Sequence, residues 1–190
     1  MSPLTASREI IKKICLLGDA AVGKTSLIKR YVYSMFDDKY ITTIGTKVTK
    51  KSIAYNKQHA GQPTEIRLTL LIWDILGQKQ YSRLHPVYYQ GAEGALVVCD
   101  GSRPETLSSL EEWTATFQEV VGPVPLIYLV NKADLIDQKA FDTKGVEALC
   151  AQHKARWMFS SAKDGLNVDN AFTQLGDDLA NRYLEKTKAA

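Results

Sequence analysis

The sequence predicts an α/β fold, a mostly parallel sheet with helices on both faces. Three features predict it. Dense apolar runs bounded by turn residues, such as "GALVVCD" (94–100) and "PLIYLVNKAD" (125–134), recur along the chain. They are apolar at successive positions, as expected of strands covered on both sides. Between them lie segments whose apolar residues return at helical spacing, and strands alternating with helices imply a parallel, helix-covered sheet.

In order, "IIKKICLLG" is a first strand and "GKTSLIKRYVYSMF" a helix with Leu27, Ile28, Tyr31 and Val32 on its inner face. A polar loop, "DDKYITTIGT", follows. "KVTKKSIAY" and "EIRLTLLIWD" are two strands joined as a hairpin by the turn-rich, flexible-looking "NKQHAGQPT". After "GALVVCD", the segment "PETLSSLEEWTATFQEV" is helical, and Pro104 suits its first turn. The strand in "PLIYLVNKAD", the helix "TKGVEALCAQH", the shorter strand "RWMFSSA" and the helix "NVDNAFTQLGDDLANRYLEK" complete the chain. The expected domain spans residues 9–184, with short flexible tails at 1–8 and 185–190.

A length of 190 residues suits one domain with a real core. Hydrophobic residues at 45% and charged residues at 24% are globular values and argue against disorder. The net charge of +3 is weak and its basic residues are scattered, so no nucleic-acid partner is expected. Cys15, Cys99 and Cys150 lack metal or redox spacing, and the first two sit in apolar runs as buried reduced thiols. The odd cysteine count and the lack of a signal peptide point to the cytosol. No apolar run is long enough to cross a bilayer. The chain as given offers no cysteine for prenylation and no glycine after Met1 for myristoylation. A cytoplasmic monomer without its own membrane anchor is therefore expected, unless the natural chain extends further.

In parallel sheets, ligands bind beyond the carboxyl ends of the strands. After the first strand stands "GDAAVGKTS", which fits G-x-x-x-x-G-K-[ST] at Gly18, Gly23, Lys24 and Thr25. Such a loop wraps backbone N–H groups, here from Ala21 and Val22 through Ser26, around phosphate oxygens. Lys24 then offers an ammonium to the outer phosphates and Thr25 a hydroxyl to Mg²⁺. After the third strand, Asp74 is the expected acidic partner of Mg²⁺. Gly77 can present its N–H to a terminal phosphate, and Gln78 can orient a water molecule. After the fifth strand, "NKAD" sets Asn131 and Asp134 three apart, where they can converge on one planar base. A carboxylate accepts from an N–H and an exocyclic NH₂ on adjacent ring positions, which guanine has and adenine lacks. After the last strand, "SSAK" (160–163) supplies small residues that let a backbone N–H approach the base oxygen.

These motifs, in this order, resemble the Ras superfamily of small GTPases over nearly the whole chain. "YITTIG" (40–45), the tryptophan before Asp74 and "YYQGAEGALVVCD" (88–100) are most similar to the Rab branch. The resemblance implies a three-layer P-loop NTPase (small G-protein) fold with six strands, one of them antiparallel, and five helices. It implies GTP or GDP as bound nucleotide, Mg²⁺ as cofactor and GTP hydrolysis as the reaction, with Gln78, Lys24 and Thr43 as catalytic residues. Thr43 of the first switch would bind Mg²⁺ and the terminal phosphate. Phe36 would pack against guanine and Tyr40 close over the phosphates. Lys132 would lie along base and ribose. Ala162, flanked by Ser161 and Lys163, would donate its N–H to the guanine oxygen. Residues 81–89 would form the rest of the second switch. An effector, an exchange factor and a GTPase-activating protein are the implied partners. No internal arginine finger stands out, since Arg83 reads as exposed, so slow intrinsic turnover is expected.

The sequence departs from the family at several points. Ile75 and Leu76 stand where a threonine and an alanine are usual. They could pin the second switch to the core, crowd the Mg²⁺ site, or form a kinetically silent anchor. Lys79 replaces a usual glutamate and Val48 a usual phenylalanine, which bears on partner choice. Missing C-terminal cysteines suit a longer natural chain or a non-prenylated relative, for example a prokaryotic one. Ala20 and Ala21 replace loop glycines, which is tolerable where the backbone does not need positive φ. Two other functions compete with the hydrolysing switch. One is a GTP-binding interaction module with negligible hydrolysis. The other is a P-loop kinase or ATPase, which "NKAD" argues against.

Overall fold

A computed structural model of the protein describes residues 6–36, 46–78 and 83–188. Six strands form one sheet: β1 (Ala6–Leu17), β2 (Lys47–His59), β3 (Gln62–Asp74), β4 (Gly94–Asp100), β5 (Leu126–Asn131) and β6 (Arg156–Phe159). Their order across the sheet is β2-β3-β1-β4-β5-β6. Only the β2–β3 pair is antiparallel. The helices are α1 (Lys24–Tyr33), α2 (His85–Tyr89), α3 (Pro104–Ser108), α4 (Leu110–Val121), α5 (Lys144–His153) and α6 (Val168–Lys188).

The period-2 alternation of strands sorts side chains into two cores. Ile14 and Leu16 of β1 face α1 and α6, where Leu27, Ile28 and Phe172 are buried with Leu68 and Ile72 of β3. Cys15 and Leu17 face the opposite way, onto Val97, Trp113 and Phe117 beneath α4. Each fully buried aliphatic or aromatic side chain contributes about 1.5–3 kcal/mol, so both layers are needed. Only the last part of β1, from Ile14 to Leu17, has β4 beside it. Its earlier residues alternate between buried and exposed instead, with Ile10 inward and Ile11 outward.

Two local expectations are corrected. Residues 56–64 are not a flexible loop: β2 and β3 stay paired through His59 and Gln62. The reversal takes only Ala60 and Gly61, both left-handed at φ 51° and 76°, which suits the right-handed twist of the strands. The helical segment after β4 is two helices, α3 and α4, meeting at Ser109. β1 begins at Ala6 and α6 runs to Lys188. The expected second-switch segment contains α2, which no periodic signal had marked.

The register sets up the site. Leu16 lies beside Asp74, and Asp100 beside Asn131. The ends of β1, β3, β4 and β5 therefore share one rim of the sheet.

Candidate functional site

The loop from Gly18 to Gly23 leaves β1 at this rim and enters α1. A Cβ at Gly18 would overlap the Val98 carbonyl of β4, and the residue has φ 133°, so only glycine fits. Ala21 has φ 62° and is left-handed. The loop does need positive φ there, and alanine meets it at about 1–2 kcal/mol of strain. Val22 is buried, and Gly23 accepts the first helical bond of α1 from Leu27 at 2.9 Å. Lys24 is buried, its ammonium donating to the Gly18 and Asp19 carbonyls at 2.6 and 2.8 Å. Burial pushes this ammonium down to about 8; the Asp74 and Asp19 carboxylates oppose that shift and the Arg103 guanidinium adds to it. Ser26 is half-buried in the first turn of α1.

The Thr25 hydroxyl donates to Asp74 Oδ2, bringing together the two described residues expected to bind a cation. Asp74 Oδ1 is buried with no hydrogen-bond partner among the described residues. Burial raises the Asp74 carboxyl above its ordinary range, against the Thr25 bond and the Lys24 charge. An orphaned carboxylate oxygen beside a hydroxyl is a hard-oxygen pair that fits Mg²⁺ shared with phosphates. Gly77 follows two residues after the buried Ile75, whose N–H donates to Leu16 at 3.3 Å. The Gly77 backbone presses on the phosphate loop so closely that a Cβ would sit 2.6 Å from the Ala20 nitrogen. Gln78 is half-buried next to it. Tyr40 and Thr43, expected in the first switch, and Lys79 and Tyr81 lie outside the described residues.

At the other end of the rim stand the "NKAD" residues. Asn131 is fully buried, donating to the Val22 carbonyl at 2.8 Å and accepting from Ser160 at 3.2 Å. It ties β5 to the phosphate loop. Asp134 is exposed, with its Oδ1 accepting from Ser161 Oγ at 2.7 Å, so the carboxylate is oriented yet accessible. The Lys132 ammonium pairs with Asp100 at 2.6 Å. Ala162 is buried and Lys163 exposed; the carbonyls of both accept from Arg30, at 2.7 Å for Ala162. The same guanidinium lies 6.0 Å from the ring centre of half-buried Phe36, linking the two expected walls of a base pocket.

Sequence reasoning missed Asp100, Arg103, Arg30 and Trp113. Asp100 ends β4 just as Asp74 ends β3, so the strand-end rule could have found it. Its carboxylate is buried and takes Lys132, Arg103 at 3.0 Å and Ser102 at 2.6 Å. Burial works against its charge, yet these bonds together hold it below the ordinary carboxylate range. Arg103 also donates to the Ala20 carbonyl at 2.9 Å. Arg83 is exposed, as expected.

A phosphate loop after β1, an acid at the end of β3 and this strand order define a P-loop nucleoside triphosphatase fold. The Ras family description matches residues 13–181. Ras-related protein Rab-32 of Homo sapiens is 35% identical over 176 residues, covering 90% of this chain and 75% of that protein. Ras-related protein Rab-22A of Homo sapiens is 33% identical over 173 residues, covering 90% and 83%. The chain belongs to the Ras family and is a Rab-like small GTPase. No helix among the described residues is long and apolar enough to cross a membrane.

Proposed function

We propose that the protein is a guanine-nucleotide switch that holds GTP or GDP with Mg²⁺ along this rim and hydrolyses GTP slowly. The observation that carries the reading is the convergence of Lys24, the Thr25–Asp74 pair and Gly77 on one loop, with oriented Asp134 at the far end. Bound Mg²⁺, held by Thr25, Asp74 and Thr43, would supply positive charge against the phosphates. The protein's own part is positioning. Main-chain N–H groups of residues 21–26 cradle the phosphates, Lys24 adds charge where it develops, and Gln78 orients the attacking water. Gly77 and Thr43 sense the third phosphate, so two loops order with GTP and release on hydrolysis. Asp134 accepts the guanine N–H pair, Ala162 donates to the base oxygen, and Phe36 stacks.

Partner classes follow from the switch. An effector would read the ordered loops, an exchange factor would open them, and an activating protein would complete the charge complement. Exposed Val48 and Val87 are apolar groups such partners could cover. The chain acts in the cytoplasm as a monomer.

The test is to identify the nucleotide that co-purifies and follow its conversion at fixed Mg²⁺. Bound guanine nucleotide with slow GTP-to-GDP conversion is expected. Bound but unconverted GTP would leave a passive binding module, and bound adenine nucleotide would overturn the reading.

A further inference from the structure

We propose that Arg103 is a positioning residue for nucleotide retention, clamping the Ala20 carbonyl so that the strained Ala20–Ala21 peptide keeps its N–H turned toward the phosphates. The inference rests on the guanine-nucleotide reading above. Arg103 uses two edges of its planar guanidinium. Nη2 donates to the Ala20 carbonyl at 2.9 Å, and Nε donates to the Asp100 carboxylate at 3.0 Å. Asp100 is fixed in turn by β4, by Ser102 and by Lys132, so the clamp stands on a buried base. The Arg103 N–H donates to the Asp100 carbonyl at 2.9 Å, which sets the turn that aims the side chain back at the loop.

The carbonyl Arg103 holds belongs to the peptide that precedes Ala21. In a trans peptide the C=O and the next N–H point in opposite directions. Holding the Ala20 oxygen from one side therefore aims the Ala21 N–H to the other. Ala21 sits at φ 62°, where an alanine persists only if its surroundings over-determine it. Two further contacts fix the residue before it: Trp113 donates to Asp19 at 2.8 Å, and the Gly77 backbone presses on Asp19 and Ala20. Arg103 is the contact that reaches the Ala20 oxygen itself. A lysine offers one point charge and cannot bridge both acceptors in a plane.

The experiment uses the full chain loaded with a fluorescent guanosine diphosphate in Mg²⁺ buffer. Dissociation rates are compared for wild type, Arg103→Ala, Arg103→Lys, Ala21→Gly and the Arg103→Ala/Ala21→Gly double variant. Arg103→Ala should speed release about tenfold, the scale of one charge-assisted hydrogen bond, and Arg103→Lys should not restore it. Whatever Ala21→Gly does alone, Arg103→Ala should speed release less in the Ala21→Gly background than in wild type, because glycine holds the left-handed backbone without help. A general loss of structure would not depend on residue 21 in this way. Unchanged release from Arg103→Ala, or an Arg103→Ala effect as large in the Ala21→Gly background as in wild type, would overturn the inference. A wild-type chain that retains no guanine nucleotide would overturn both this inference and the reading beneath it.

Discussion

The Trp113 indole N–H donates to the Asp19 carboxylate at 2.8 Å, joining α4 to the second residue of the phosphate loop. The same indole lies 5.0 Å from the His85 ring of α2. One side chain thus touches the loop expected to hold phosphates and a helix of the expected second switch. Trp113→Phe keeps most of the ring and removes the donor. It should speed guanine-nucleotide release by roughly 3–10-fold, the scale of one typical net hydrogen bond. Stopped-flow release of a fluorescent nucleotide checks this; an unchanged rate would make the bond incidental.

Ile75 and Leu76 both leave solvent, at 0% and 4% exposure. Ile75 joins the core beneath α4. Burial supports the readings in which these residues anchor the start of the second switch. Ile75→Ala should cost about 2–5 kcal/mol in urea unfolding. Leu76→Ala should alter nucleotide exchange or hydrolysis severalfold if the anchor restrains the switch. Unchanged kinetics would leave a silent anchor.

Asp134 accepts from the Ser161 hydroxyl, which holds the carboxylate in one orientation. Asp134→Asn replaces a double acceptor with one donor and one acceptor. Guanine binding should fall by roughly 10²–10⁴-fold, while a xanthine nucleotide, carrying a carbonyl where guanine has its amine, should gain. Competition titrations of the two diphosphates measure the exchange. Equal losses for both bases would place recognition elsewhere.

His85 is buried, and burial is the main reason its imidazole lies below the ordinary 6.5; the Leu76 carbonyl bond opposes that shift and the Lys24 charge adds to it. As pH drops below 6.5, the unfolded chain takes this proton first, so stability rises with pH in that window and falls on acidification. The loss stops growing once the folded imidazole itself protonates. His85→Phe keeps a ring against Trp113 and should flatten the fall. Urea midpoints of both proteins between pH 7 and pH 5 decide it; parallel curves would remove His85 from the acid response.

Much of the site was legible because its signals are local. The spacing of Gly18, Gly23, Lys24 and Thr25 is a property of one turn, and Asp74 announces itself by ending an apolar strand. Asn131 is marked by the same kind of signal, but its tie to the phosphate loop is not. Spacing shows that Asn131 and Asp134 can converge, not that Asn131 also holds the Val22 carbonyl 109 residues away. The hairpin was recognised, but its turn was drawn too wide. Polar residues from Asn56 to Thr64 look like loop until the pairing of the two strands is seen to satisfy their backbone.

From the sequence alone come the alternating architecture, the phosphate loop, the acid at the end of β3 and the acid of "NKAD". Each depends on period, spacing or the chemistry of one short segment. The tertiary structure decided how the loop is held: Arg103 reaches Ala20 across 83 residues, and Trp113 reaches Asp19 across 94. Such contacts carry no spacing rule. They exist only because the strand order sets the end of β4 beside the end of β1, and parallel pairing brings distant segments to the same rim.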